Sequence, residues 1–467
     1  MTMAGVMVKA GALAVAAFGA ALPLRAERLS LPAPSSAPQH IARATDGFLA
    51  ALADRHDGAM FDARIVAAIA ALPVLGERRQ DVEAARAVRN QARAGLFPRL
   101  GLDAVAAQTL ARDFRLRTTQ VESLVPRSRN DISASADQLL FDFGATSARI
   151  RSGAAATDSA RADLDAARSD AVMVLIGVWY EQLAATTAVS LSLANVARLA
   201  ELAAAAALRF DSGIDSGGDV ARARSYLAAA QSRGVGFERR LAAARARTFE
   251  VFGAVPDAIF RPALPGAVTG PAALRPEVMA ARADEQQTAA ALAAARAERL
   301  PRIDARIGAT AFDVIDAPRP DYDIRAQFTL RQRFSIGGGE AARVAELAAR
   351  RNQARFAVDR IEALTGRELA IARSDADGLA AALPPLENAY LDSRRARDLF
   401  VEQFRVSRGT LFDVLRAERD LLDAALSLAQ TSYEHDVARF TLLARQGALL
   451  DRFGLADTAT TAERADR

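Results

Sequence analysis

The residue types that do covalent or metal chemistry are scarce in this chain and badly spaced for it. His40, His56 and His435 are the only histidines, and there is no cysteine. None of the three has a second histidine one helical turn away, or the acid–histidine spacing that would present ligands to one metal ion. A serine nucleophile set in a Gly-x-Ser-x-Gly turn is absent as well. Gly337-Gly338-Gly339 is the one run that resembles a phosphate cradle, and neither a lysine nor a Ser/Thr follows at the spacing a phosphate loop needs. The chain therefore reads as no enzyme, with no cofactor and no resident metal. Charged pairs remain. Asp219 precedes Arg222 by three residues, and Asp413 precedes Arg416 by three. Residues three apart share a helix face, so each pair can hold itself together or act outward on passing ions.

What positions these pairs is a set of unusually long helices. Hydrophobic residues make up 51% of the chain but aromatics only 6%, so alanine supplies much of the apolar content. Alanine-rich sequence laced with charge suits long, closely packed helices. From Ala145 to about Leu208 there is no proline, and such a stretch would run roughly 95 Å as one helix. Breaks are expected at Asp211 to Gly218, at Gly253 to Pro271 and at Leu383-Pro384-Pro385. Asp219 follows the first break, and Asp413 follows the equivalent stretch Arg405 to Gly409, as residues beside hairpin tips would. Acidic and basic residues alternate without a basic stripe, so a pI near 9.9 does not imply nucleic acid.

The chain is written twice. Ala92-Arg93-Ala94 leading to Phe97-Pro98-Arg99 recurs as Ala295-Arg296-Ala297 leading to Leu300-Pro301-Arg302, and Pro73 recurs as Pro276. Phe141 to Gly144 returns as Phe334 to Gly337, and Asp219-Val220 with Arg222-Ala223 returns as Asp413-Val414 with Arg416-Ala417. Between the first and second of these blocks the period changes from helical to two. Ile303, Ala305 and Ile307 alternate with Asp304, Arg306 and Gly308, and Ile324, Ala326 and Phe328 alternate with Arg325, Gln327 and Thr329. That is the pattern of strands with one apolar and one polar face. Strands are expected at about 99–111, 131–141, 302–312 and 322–333, with Gly144, Gly337 and Gly338 turning each second strand into its helix.

At the N-terminus, Lys9 precedes an apolar run from Ala10 to Leu24. The run is too short to span a bilayer and has the flanks of a secretory signal, so residues 1–26 are expected to be removed, with the mature chain starting near Glu27. No later stretch is apolar enough to predict a transmembrane helix, since Ala171 to Leu208 is interrupted by Glu181, Arg198 and Glu201. Four strands in an exported helical chain have little to pair with except their counterparts in other copies. Strands in a bilayer must close into a barrel, and about eight is the smallest single-chain number. A ring of identical subunits, with helices prolonging the barrel, is then a hollow conduit.

This doubled pattern resembles the TolC-like outer-membrane efflux family, from about Pro73 to Leu455. The likeness rests on the two Ala-Arg-Ala blocks, on Gly337-Gly338, and above all on Gln403-Phe404 and Gly409-Thr410-Leu411-Phe412-Asp413-Val414-Leu415 near the C-terminus. The resemblance implies a mostly α fold with a small transmembrane β part, in two tandem repeats of long helices plus a β-hairpin. It implies a homotrimer sharing a barrel of about twelve strands over an α-helical barrel. By this likeness residues 61–252 form the first repeat, 253–274 a linker and 275–455 the second repeat, with 27–60 unassigned and 456–467 a tail. Partners would be a periplasmic adaptor, an inner-membrane transporter and outer-membrane lipid, with no nucleic acid. The lipid-facing residues would be Ile303, Ala305, Ile307, Ile324, Ala326 and Phe328, and the candidate periplasmic gate Asp413, Arg416, Asp219 and Arg222. In the family's namesake the closing run has acids three apart, and here Arg416 takes the second place. The missing cysteine removes a lipid anchor and leans the reading to type I protein secretion with an ABC transporter. The alternatives are small-molecule efflux with a proton-driven pump and, from another class, a periplasmic coiled-coil scaffold.

Overall fold

A computed structural model describes residues 29–111, 128–256, 258–266, 274–315, 321–332, 334 and 336–456. The signal segment and its cleavage site, the loops at 112–127 and 316–320, and residues 457–467 lie outside the described residues. After two short 3-10 turns come α1 (Gly47–Ala53), α2 (Ala59–Ala71) and α3 (Pro73–Ala94). Strands β1 (Arg99–Gln108) and β2 (Ser128–Phe141) lead to α4 (Ala145–Asp211) and α5 (Gly217–Phe252). The order then recurs: α6 (Pro276–Ala297), β3 (Arg302–Ala311), β4 (Tyr322–Arg331), α7 (Gly339–Arg405) and α8 (Leu411–Arg445), closing with α9 (Leu449–Arg452).

Helices α4 and α7 are 67 residues each, or about 100 Å long at 1.5 Å per residue. Near the sheet the helices lie side by side as α3, α4, α6, α7, and towards the far end as α5, α4, α8, α7. Thus α3 continues into the track of α5, and α6 into that of α8. The first junction is marked by Leu72 and Pro73 beside Phe252 and Gly253. At the second, Glu368 of α7 takes Arg275 at 2.8 Å and Arg445 at 3.4 Å. Small residues let these tracks approach closely: a Cβ on Gly153 of α4 would sit 2.9 Å from the Cα of Arg89 in α3.

One expectation is corrected here. Leu383-Pro384-Pro385 does not break the chain, because α7 runs through both prolines. The carbonyls that lose their N–H partners belong to Ala380 and Ala381, which are exposed, so water can satisfy them. Helix α4 contains an 18-residue window of mean hydropathy 1.4, long and apolar enough to cross a membrane by composition. That helix belongs to the wall, and its apolar stripe (Val172, Leu175, Ile176, Trp179) is covered by α2 and α8.

The core at mid-height is a belt over that wall. Trp179 is fully buried, meets Phe61 edge-on at 5.2 Å between ring centroids, and donates its indole N–H to the carbonyl of Phe260 at 3.0 Å. Residues 29–57, 258–266 and 449–456 all pack here. A second cluster near the far ends of the helices joins Leu199, Ala206, Val220, Val401, Val414 and Leu415.

Candidate channel wall and helix tips

The sheet is antiparallel with strand order β1-β2-β3-β4. Partners directly opposite share a face. Ile303 pairs with Leu330, Ala305 with Phe328, Ile307 with Ala326, and Ala309 with Ile324. Through β2 the same face continues as Ile132, Ala134 and Ala136, and on β1 as Ala104, Leu102 and Leu100. All six residues singled out for lipid therefore share one apolar face with these. Most of its large side chains are uncovered in the single chain: Phe328 is 78% exposed, Ile324 67% and Leu100 83%. The opposite face carries Asp103, Ser133, Ser135, Asp137, Asp304, Arg306, Arg325 and Gln327, with Arg306 3.7 Å from Asp137 across the β2–β3 pair. Among the described residues, β1 and β4 each pair on one side only, so the sheet has two open edges.

Each second strand enters its helix through a left-handed residue. Gly144 has φ 86° and Gly338 φ 73°, where a side chain would be strained, and Gly337 lies in the turn just before. At the first turn Asp142 accepts from the N–H of Gly144 at 3.1 Å and of Thr146 at 2.7 Å, satisfying donors that the helix start leaves open.

The other ends of the helices form two tips, closed by the same device. Ser216 caps α5 and Thr410 caps α8, each accepting from the backbone N–H three residues on, at Asp219 and Asp413. The carboxylates return the contact: Ser216 donates its hydroxyl to Asp219 at 2.7 Å, and Thr410 to Asp413 at 2.6 Å. Hydrogen bonds from Ser216 hold the Asp219 carboxyl below its ordinary value, with Arg222 adding to the effect. Arg222 stacks over Phe412 at 5.0 Å and so bridges the two tips. Arg209, paired with Asp215 at 2.9 Å, stacks over Phe404 at 4.7 Å. Arg416 lies 3.7 Å from Asp420, and among the described residues no ion pair joins it to Asp413.

The segment that sequence reasoning left unassigned is tied to the wall by buried charge. Asp46, fully buried, accepts from Tyr390 at 3.2 Å and pairs with Arg394. Arg397 donates to the carbonyl of Pro32 at 2.9 Å, the N–H of Ser35 reaches Asp398 at 3.1 Å, and Ser190 donates to the carbonyl of Leu29 at 2.6 Å. Arg55 and Arg261 converge on Asp436, at 2.7 and 2.5 Å. Burial pushes the Asp436 carboxyl up, but the hydrogen bonds from the two guanidiniums outweigh it and hold it below the ordinary range. Burial lowers neighbouring His435, and Arg439, Arg261 and Arg55 lower it further against the pull of Asp436. The signal in the sequence was Asp436 itself, an acid on the apolar stripe of α8, hidden because this chain has acids and arginines almost everywhere.

Among the described residues no cluster of three potential ligands could hold a metal ion. The arrangement is a wall, with one sheet face apolar and one polar, and long helices leading from it. Residues 65–254 match the family described as outer membrane efflux protein. The outer membrane efflux protein BepC of Brucella suis biovar 1 (strain 1330) is 22% identical over 340 residues, 70% of this chain and 75% of that protein. The outer membrane protein VceC of Vibrio cholerae superposes with a TM-score of 0.73 at 18% identity, over 83% of this chain and 96% of that one. The open-state MtrE outer membrane channel of Neisseria gonorrhoeae gives 0.68 at 19% identity, over 83% and 89%. These matches, with the exposed apolar sheet face, set aside the coiled-coil scaffold. The chain is thus similar to outer membrane efflux proteins, in sequence over residues 65–254 and in fold over most of its length, and it is a channel component of the outer membrane that extends into the periplasm, not an enzyme.

Proposed function

We propose that three copies of this chain close their four-stranded sheets into one barrel and stack their helices into a tube beneath it. This would be the exit duct of a tripartite system with a periplasmic adaptor and an inner-membrane transporter. The observation that carries the reading is the sheet: an exposed apolar face, and two open edges whose backbone groups would be unsatisfied in hydrocarbon. Strands of ten residues suit a tilted bilayer crossing. Because β1 and β4 run antiparallel to each other in the sheet, β4 of one copy can pair antiparallel with β1 of the next. The recurrence of helix, hairpin and two helices supports two tandem repeats, bounded at about 61–252 and 275–455. The exported, trimeric chain should behave as one detergent-stable oligomer of about three protomers. A purified protein that stays monomeric while folded would refute the shared barrel.

The absence of cysteine and the run Leu411–Glu418 favour type I protein secretion with an ABC transporter over small-molecule efflux. Crosslinking in whole cells tests it: recovery of a proton-driven pump in place of an ABC transporter overturns the secretion reading. At the tips, Asp413, Arg416, Asp219 and Arg222 form the periplasmic gate in this reading. Arg416→Ala is expected to raise ion leak in planar bilayers, and Asp413→Ala to lower cation preference. Wild-type conductance and selectivity in both variants would remove these residues from the gate.

A further inference from the structure

Where the sheet meets the helices, a cleft of about 360 Å³ opens between the start of α4, the end of α6, the β3–β4 pair and the first turns of α7. Its charge is lopsided. Five arginines line it (Arg149, Arg299, Arg302, Arg331 and Arg343) against the three carboxylates Asp142, Glu298 and Glu340. Two of those acids are already engaged, Asp142 by the N–H groups at the start of α4 and Glu298 by Arg149 at 3.4 Å. Arg302 leans on Asp304 at 2.7 Å. Among the described residues, Arg299, Arg331 and Arg343 have no ion-pair partner, so three guanidiniums stand unpaired against the carboxylates of Glu340 and Asp142.

The register sharpens this. Arg302 and Arg331 are direct partners across the β3–β4 pair. Like charges directly opposite one another destabilise a sheet, and no acid lies between them in the register. Both belong to the polar face, with Asp304, Arg306, Gln327 and Thr329, opposite the face of Ile303 and Leu330. If the apolar face meets lipid, this pair points inward, at the neck between barrel and tube.

The geometry points to an oxyanion site at this neck: the guanidiniums of Arg331, Arg343 and Arg299 take a carboxylate, phosphate or sulfate group carried by material in the duct. Guanidinium forks match such groups with two parallel hydrogen bonds and stay charged at every relevant pH. The site rests on the duct reading above, and symmetry would repeat it around the ring. A neck so lined favours anions over cations and gives acidic cargo a foothold midway along its path.

The test uses the purified full-length oligomer in planar bilayers of phosphatidylcholine under a KCl gradient. Arg331→Gln with Arg343→Gln is expected to shift the potassium-to-chloride permeability ratio towards potassium by about twofold or more. Inorganic phosphate should reduce wild-type conductance and leave that of the double variant unchanged. Arg331→Lys with Arg343→Lys keeps the charge, and should keep the wild-type selectivity while confirming that substitution here leaves the oligomer intact. Unchanged selectivity and phosphate response in a correctly assembled double variant would overturn the site. A difference seen only in bilayers containing anionic phospholipid would assign the arginines to a lipid headgroup and equally overturn it. A wild-type protein that forms no pore would instead bring down the duct reading, and this site with it.

Discussion

At the scale of single residues, the chemistry of this chain is buried charge rather than catalysis. Asp436 is fully buried and held by two arginines from distant segments, Arg55 and Arg261. Removing one partner of such a pair leaves the others uncompensated, so Asp436→Asn should cost about 3–5 kcal/mol, read as a fall in the temperature at which the protein unfolds. His435 gives a pH dependence of definite sign. Its folded pKa lies below the ordinary 6.5, so at falling pH the unfolded chain takes up a proton before the folded one does. Stability from this residue is fully present above pH 6.5 and declines as pH drops below it. Melting curves at pH 7.5 and 5.5 should show that decline in the wild type and less of it in His435→Gln. Neither residue stood out beforehand. The sequence shows an acid and a histidine in a helix, whereas their partners come from segments about 175 and 381 positions away.

The elements were more legible, because periodicity is a local property. Alternation in Ile303 to Ala311 and Tyr322 to Leu330 announced β3 and β4, and the register then put every alternate apolar residue on one face. Phe328→Arg on that face is expected to cost about 2–4 kcal/mol near the bilayer midplane. Gln327→Arg, one position along and on the polar face, should assemble at wild-type levels. Equal loss of the protein from the outer membrane in the two variants would contradict the assignment of faces. The glycine turns were legible for the same reason, since Gly144 and Gly338 adopt the left-handed conformation that other residues resist. Pro384-Pro385 misled because a proline pair is a local signal, while the continuity of α7 is decided over its whole length. Packing against α6 and α8 holds the helix on both sides of the pair, and the orphaned carbonyls face water.

At the scale of the molecule, the sequence pattern foretold a conduit but not the belt that girdles it. Residues 29–57 have neither the long helical period nor strand alternation, so their place is set by tertiary contacts such as Asp46 with Arg394 and Tyr390. Asp46→Ala should release this segment, seen as new protease cleavage within residues 29–57 while the long helices stay resistant. Cleavage unchanged from the wild type would show that the apolar contacts of Phe48 and Leu52 suffice to hold it. These contacts also bear on how the protein is made. A chain that crosses the inner membrane from its N-terminus presents Ser35 and Asp46 to the periplasm early, yet their partners lie 363 and 344 residues later. The first segment to arrive is thus among the last able to dock. Until α7 emerges, Phe48 and Asp46 wait without Tyr390 and Arg394, and a periplasmic holdase has its clearest target there.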